Sequence, residues 1–206
     1  MTASLIYKNA FIYEGLMRAL YGPAYYGRFE AIAERIPEGG SVLDVCCGPG
    51  TLFHRYLKQK AVGYTGLDIN PTFIERLSAN GGTGMVWNLE EDRPLPRRQY
   101  VIMQSSLYHF LPDAAPIVER MLAAAEKQVL IAEPIRNVAD SQNGLLAFLA
   151  RKLTNPGTGD QPHRFNEARL DALLQAHRQR VEVVEARLIA GGREKLYVLA
   201  AGRSFG

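Results

Sequence analysis

The 206-residue sequence predicts an α/β fold, in which helices cover both faces of a doubly wound, mostly parallel sheet. An apolar run, Val42 to Val45, leads directly into a glycine-rich turn and then into apolar residues at helical spacing. Further short apolar segments alternate with helical patterns along most of the chain. The last two apolar segments are joined around Gly191 and Gly192, which is typical of an antiparallel hairpin.

Two helices are predicted ahead of the sheet, because apolar residues recur there every three or four positions. They cover residues 2–21 and 25–36, and a Gly-Pro pair separates them. At 47% hydrophobic residues, the chain suits one domain with a full core. We therefore expect a single domain with an N-terminal helical cap, residues 1–40, on an α/β core, residues 41–206.

The turn after the first strand has the features of a ligand cradle. Gly48 and Gly50 can take backbone angles closed to other residues, and they let a ligand approach the main chain at a helix N-terminus. Asp44 lies inside the apolar strand, where a carboxylate costs several kcal/mol unless it is hydrogen-bonded, so we expect it to contact a ligand. Asp68 ends the next strand, residues 63–67, where an acid can accept both hydroxyls of a ribose.

Together, V-L-D-V-C-C-G-P-G and G-Y-T-G-L-D resemble the class I S-adenosylmethionine-dependent methyltransferases that act on small molecules. The resemblance implies a Rossmann-like sheet of seven strands with an antiparallel last strand. It also implies that the turn holds the amino-acid part of S-adenosylmethionine and that Asp68 holds its ribose. The family usually carries glycine where Cys46 stands. Neither G-x-G-x-x-G nor G-x-x-x-x-G-K-[ST] occurs, which disfavours a dinucleotide or nucleoside-triphosphate fold.

The remaining elements follow from caps and apolar runs. Asn70 and Pro71 are a helix N-cap and first helical residue, and Asp113 and Asn166 are predicted to cap two later helices. A further helix is predicted over residues 140–152. The later strands are predicted at residues 85–87, 100–104 and 128–132, and in the hairpin at 181–190 and 194–201.

The loop after the third strand is predicted to contact the adenine ring. By resemblance Asn88 occupies the position of the contact, but Glu90, Glu91 and Asp92 are alternatives. The predicted cofactor site comprises Asp44, Cys46, Gly48, Gly50, Asp68, Ile69, Asn88, Leu89 and Gln104.

The segment S-S-L-Y-H-F follows the fourth strand, at the carboxyl edge of the sheet where open α/β folds bind ligands. Tyr108 and His109 either face the reacting methyl group, with His109 as a base, or fill space beneath the next helix. Glu133 ends the fifth strand, where its carboxylate is expected to face the cleft. Tyr108, His109 and Glu133 are therefore the candidate catalytic residues. The tyrosines Tyr7 and Tyr13 and the segment 163–165 are expected to cover the acceptor.

Composition restricts the remaining possibilities. The net charge of +3 is small, and the sequence contains no appended nucleic-acid-binding module. The two cysteines are adjacent, so they have no metal-ligand spacing and cannot form a disulfide framework. With no run of about 18 apolar residues, a cytoplasmic protein without a membrane span is expected.

We therefore expect methyl transfer from S-adenosylmethionine to a small, partly apolar acceptor, without a metal. Nucleic acid is a disfavoured partner, and the oligomeric state is open. Two alternatives remain. One is methylation of RNA or protein, and the other is a non-catalytic subunit that binds S-adenosylmethionine.

Overall fold

A computed structural model describes residues 22–135, 164–177 and 181–201, together with Gly15, Arg18 and Ala19. The predicted helix over residues 140–152 lies outside the described residues, as does most of the helix predicted over residues 2–21. Tyr7, Tyr13 and His163 also lie outside them.

The centre of the fold is a seven-stranded sheet in the order β3-β2-β1-β4-β5-β7-β6. Strands β1 to β5 pair in parallel, whereas β7 is antiparallel to both of its neighbours. This confirms the predicted doubly wound, Rossmann-like sheet with an antiparallel last strand. The strands are β1 Ser41–Val45, β2 Gly63–Asp68, β3 Thr83–Val86, β4 Arg98–Gln104, β5 Ala125–Pro134, β6 Val183–Ile189 and β7 Glu194–Ala200.

Helices connect the strands and cover both faces of the sheet. The α-helices are α1 Ala24–Ala33, α2 Pro71–Ala79, α3 Ala115–Ala124 and α4 Glu167–Gln175. The segment after β1 contains a π-helical turn, Phe53–Leu57, followed by a 3₁₀ turn, Lys58–Lys60. A short 3₁₀ helix, Leu107–Phe110, follows β4. None of the helices among the described residues is long and apolar enough to span a bilayer.

Two of the three predicted helix caps are confirmed. The side chain of Asn70 accepts the backbone N–H of Thr72 at 3.0 Å, and that of Asn166 accepts the N–H of Arg169 at 2.8 Å. The cap predicted at Asp113 is wrong, because α3 begins at Ala115 without a side-chain cap. A proline in its first turn removes one of the N–H groups that a cap would otherwise satisfy.

The sheet has one hydrophobic core on each face, because successive side chains along a buried strand point to opposite faces. Leu43 and Val45 of β1 belong to the core cluster that also contains residues of α3 and α4. Val42 belongs to the opposite cluster, with residues of α1 and of the π-helical turn. By the same alternation Asp44 shares the face of Val42, and it is 4% exposed.

Strand β5 is longer than predicted, because it pairs with β4 on one side and with β7 on the other. Its ladder with β7 continues as far as Pro134, opposite Glu194. Glu133 therefore lies within a central strand and not beyond its end.

Candidate functional site

The turn after β1 has left-handed backbone angles at Cys46, Gly48 and Gly50, with φ of 59°, 55° and 76°. Such angles cost a non-glycine residue about 1–2 kcal/mol, which explains why glycine suits the position of Cys46. A Cβ atom at Gly50 would lie 2.9 Å from the side chain of Leu77, so this glycine is also required by packing. A Cβ atom at Gly48 would meet nothing within 4 Å, so the space in front of its backbone is open to a ligand.

Asp68 ties this turn to the end of β2. Its Oδ2 accepts the backbone N–H of Gly48 at 2.9 Å, and its Oδ1 accepts that of Asn70 at 2.8 Å. Burial raises the pKa of Asp68, and the two hydrogen bonds oppose that shift. Each carboxylate oxygen has about two acceptor positions, so Asp68 can still accept both hydroxyls of a ribose. The adjacent Ile69 is 58% exposed and offers an apolar surface beside this carboxylate.

Asp44 has an internal partner that the sequence analysis missed. The hydroxyl of Tyr64 on β2 donates to its Oδ2 at 2.5 Å, and the Tyr64 ring packs against Phe53 with centroids 4.7 Å apart. Burial raises the pKa of Asp44 to about 7, against the opposing effect of the Tyr64 hydrogen bond. The spacing in the sequence could have indicated this pair, because Tyr64 follows Asp44 by 20 residues, just as Asp68 follows Gly48 by 20.

Three of the predicted cofactor residues already have structural partners. Oδ1 of Asn88 accepts the N–H of Glu90 at 3.0 Å, so this oxygen stabilises its own turn. The side chain of Leu89 is buried in the core at 6% exposure. Nε2 of Gln104 donates to the backbone carbonyl of Arg28 at 3.2 Å. Their contacts with a cofactor stay a prediction.

Glu133 holds the loop between β4 and the 3₁₀ helix. Its Oε1 accepts the backbone N–H groups of Ser106 and Leu107, each at 2.7 Å. Its side chain is fully buried, so it is not exposed to a cleft as its position predicted. Burial raises the pKa of Glu133 to about 8, and among the described residues its Oε2 has no hydrogen-bond partner. Its predicted catalytic role stays a prediction.

Tyr108 and His109 lie in the 3₁₀ helix with their ring centroids 4.1 Å apart. The guanidinium carbon of Arg164 lies 3.7 Å from the centroid of the Tyr108 ring. Burial lowers the pKa of His109 to about 4, and the positive charge of Arg164 adds to that shift. The imidazole is therefore neutral at pH 7 and only weakly basic.

A buried charged cluster joins α1 to this region. Arg28 forms an ion pair with Glu194 at 2.9 Å, and their side chains are 4% and 0% exposed. Arg28 also donates to the hydroxyl of Ser105, which lies 3.4 Å from Glu194. Ser105 itself has a left-handed φ of 52°, directly after the last residue of β4. No local signal in the sequence predicted this cluster, because its members come from three distant parts of the chain.

The turn after β1 and the loop after β4 meet through their side chains. The hydroxyl of Ser106 donates to the backbone carbonyl of Gln104 at 3.1 Å, and it lies near the thiol of Cys46, whose pKa it lowers slightly. Burial raises the pKa of the Cys46 thiol well above its ordinary value, so the thiol stays protonated. The predicted cofactor turn is therefore next to the loop that carries Tyr108 and His109.

The family model of methionine biosynthesis protein MetW matches residues 27–135, slightly more than half of the chain. This range contains β1 to β5 and every predicted cofactor-binding and catalytic residue, and it ends before α4. A comparison with curated proteins gives no match.

Solved structures share the fold at low sequence identity. A chain from the complex between the Haloferax volcanii Trm112 methyltransferase activator and a methyltransferase has a TM-score of 0.70 and 13% identity, covering 98% of this chain and 100% of that one. Magnesium protoporphyrin IX methyltransferase from Synechocystis PCC 6803 with bound SAH has a TM-score of 0.61 and 15% identity, covering 91% and 94%. A TehB-like SAM-dependent methyltransferase from Corynebacterium glutamicum has a TM-score of 0.61 and 18% identity, covering 90% and 92%. The fold is therefore that of the class I methyltransferases.

Proposed function

This chain belongs to the family of methionine biosynthesis protein MetW, and on that premise we propose that it transfers a methyl group from S-adenosylmethionine to a small, partly apolar acceptor. The observation that carries the proposal is the hydrogen bond between Gly48 and Asp68. It holds a turn with open space in front of its backbone beside a carboxylate at the end of the neighbouring strand. This combination suits a ligand that has both an amino-acid part and a ribose.

The described residues fit such a cofactor. The backbone at Gly48 would meet the amino-acid part, Asp68 would accept the ribose hydroxyls, and the exposed Ile69 would pack against the adenine ring. When bound, S-adenosylmethionine supplies the electrophilic methyl group and its leaving group. The protein therefore has to hold the acceptor in line, and good positioning alone corresponds to an effective molarity of order 10⁵ M or more.

The acceptor would lie at the carboxyl ends of β4 and β5, next to Tyr108 and His109. A neutral imidazole can accept a hydrogen bond from a hydroxyl or amine of the substrate and so fix the orientation of that group. Because its pKa is lowered to about 4, His109 contributes more to this orientation than to proton removal at neutral pH. Glu133 contributes by keeping the loop that carries both rings in place.

The proposal is tested by calorimetric titration with S-adenosylmethionine. Asp68→Ala should weaken binding by roughly tenfold to a hundredfold, since it leaves ribose hydroxyls and two backbone N–H groups without their acceptor. Glu38→Ala, which removes an exposed acid from the loop between α1 and β1, should leave the affinity unchanged. Equal affinity in the wild type and Asp68→Ala would sink the assignment, and micromolar binding of NAD(H) would favour an oxidoreductase.

A second candidate is a subunit that binds S-adenosylmethionine for a partner methyltransferase. One observation supports a partner protein for this fold: a structural neighbour comes from a complex that contains a methyltransferase activator. Incubation of the purified chain with labelled S-adenosylmethionine and a metabolite extract separates the candidates. Label in a small molecule supports a small-molecule methyltransferase. In a parallel incubation with RNA and protein added, label only in these polymers supports RNA or protein as the acceptor. Binding without any transfer supports the subunit.

A further inference from the structure

The side chain of Arg164 is half-buried, and one nitrogen of its guanidinium has no acceptor in the described part of the chain. Its Nη1 is shielded from solvent and has no hydrogen-bond partner among the described residues. The guanidinium packs against the face of the Tyr108 ring and lies close enough to His109 to lower the pKa of that imidazole. A guanidinium carries five donors in a planar fork, and a buried donor without a partner costs about 1–3 kcal/mol. Arg164 is therefore a charged group that gains free energy when an acceptor binds to it.

The position of Arg164 is set by its neighbours in sequence. Phe165 is 4% exposed in the core cluster that also contains Leu107, and Asn166 caps α4. These contacts hold the backbone of Arg164 beside the 3₁₀ helix. The residue lies outside the segment 27–135 that matches the family, so the family match gives it no role.

The charges around Arg164 favour an incoming anion. His109, whose pKa the charge of Arg164 helps to lower, is neutral at pH 7 and adds no second cation. The side chain of Glu133 in β5, whose pKa is raised to about 8, is mostly protonated at pH 7, and its Oε1 already accepts the N–H groups of Ser106 and Leu107. One positive charge with a planar fork matches a carboxylate, which carries one negative charge and accepts two parallel hydrogen bonds.

We propose that Arg164 binds a carboxylate of the methyl acceptor, so that the substrate is a small carboxylic acid whose apolar body lies against the Tyr108 and His109 rings. The inference rests on the proposed function and specifies its acceptor class. Arg164 is a positioning residue in this scheme, because it holds the carboxylate of the substrate, whereas a different group of the substrate contacts the cofactor.

The test compares benzoate with benzamide, which have the same shape and differ in charge. Each is titrated calorimetrically into the protein saturated with S-adenosylhomocysteine. The wild type and Arg169→Gln, an exposed arginine of α4, should bind benzoate at least about tenfold more tightly than benzamide. Arg164→Gln should lose this preference, and Arg164→Lys should keep part of it, since it retains the charge without the planar fork.

A second measurement follows the pKa of His109 by NMR. Arg164→Gln should raise this pKa, because the charge of Arg164 is one of the causes that lower it. Saturating benzoate should also raise it in the wild type, by neutralising Arg164, and should leave it unchanged in Arg164→Gln. An arginine with a purely structural role would leave the His109 pKa insensitive to benzoate.

Equal affinity of the wild type for the two probes would overturn the inference, as would a preference for benzoate that survives in Arg164→Gln. Absence of binding by either probe up to tens of millimolar would overturn it as well. Failure of the proposed function is visible separately, as absence of S-adenosylhomocysteine binding. In that case the same titrations on the protein without cofactor still decide whether Arg164 binds carboxylates.

Discussion

The two halves of the candidate site are built differently. On the predicted cofactor side, hydrogen bonds join β2 to β1 and to the turn after β1, each between residues 20 apart, and the space in front of the Gly48 backbone is open. On the acceptor side, Arg28, Ser105 and Glu194 form buried charged and polar contacts between residues at least 77 apart. The first half therefore depends on backbone conformation, and the second on the pairing of buried charges. Substitutions should remove binding in the first and stability in the second.

The largest effect is expected at Arg28. Arg28→Ala leaves Glu194 as an uncompensated buried charge and should lower the free energy of unfolding by about 3–5 kcal/mol. The matched control is Arg187→Ala, because Arg187 also links the α1 region to the hairpin through Glu34, but its side chain is 42% exposed. An exposed pair is worth about 0–1 kcal/mol. Urea denaturation followed by circular dichroism measures both, and equal losses would show that burial of the pair has no special weight.

The next effect concerns the backbone of the cofactor turn. Gly48→Val should weaken S-adenosylmethionine binding more than about a hundredfold, because its side chain fills the open space in front of the turn and its φ is left-handed. Gly39→Val is the control, since Gly39 also has a positive φ and open space but lies in the loop between α1 and β1. Both variants should lose about 1–2 kcal/mol of stability, and only the first should lose binding. Calorimetry that finds equal binding in both variants would exclude the turn as the cradle.

The pH dependence of stability should contain a contribution from each half, because burial raises the pKa of Asp44 on the cofactor side to about 7 and that of Glu133 on the acceptor side to about 8. The pKa of Glu133 is raised to about 8 in the folded protein from 4.5 in the unfolded chain. Between these values the folded state retains a proton that the unfolded state has released, so stability falls as the pH rises from about 5 to 8. The contribution of Glu133 to the slope of the free energy of unfolding against pH is at most about 1.4 kcal/mol per pH unit.

Glu133→Gln should remove this contribution, because its amide oxygen can still accept the N–H groups of Ser106 and Leu107. Its stability relative to the wild type should therefore increase with pH over that window, as measured by urea denaturation at several pH values. Glu126→Gln, at an exposed position of the same strand, should leave the slope unchanged. A difference in stability between Glu133→Gln and the wild type that stays the same at all pH values would contradict the prediction.

The smallest effect is expected at Cys46. Cys46→Gly relieves a left-handed non-glycine residue but adds freedom to the unfolded chain, so stability should change by less than about 1 kcal/mol. S-adenosylmethionine affinity should stay within about twofold, because the thiol faces Ser106 and the core. Cys46→Val should lower the stability in thermal or urea unfolding, because a β-branched side chain tolerates the left-handed angle less well than cysteine does. A large loss of binding in Cys46→Gly would instead make the thiol a cofactor contact.

The same difference explains which parts of the molecule were predictable. The strand, glycine turn and Asp68 form a short pattern in which each residue type has a local reason, and the left-handed angles at Gly48 and Gly50 agree with it. The caps at Asn70 and Asn166 were predictable for the same reason. The cap at Asp113 was not, because the choice between nearby starting residues depends on how α3 packs on the sheet.

The sequence by itself determined the alternation of strands and helices, the order of the elements and the glycine turn after β1, since periodicity and backbone preferences act over a few residues. Only the tertiary structure decided that β5 lies between β4 and β7 and buries Glu133, and that α1 places Arg28 against Glu194. It also decided that Arg164 lies over Tyr108. The free energy of a buried charge depends on the partner that folding brings to it, and no local pattern specifies a partner that is tens of residues away.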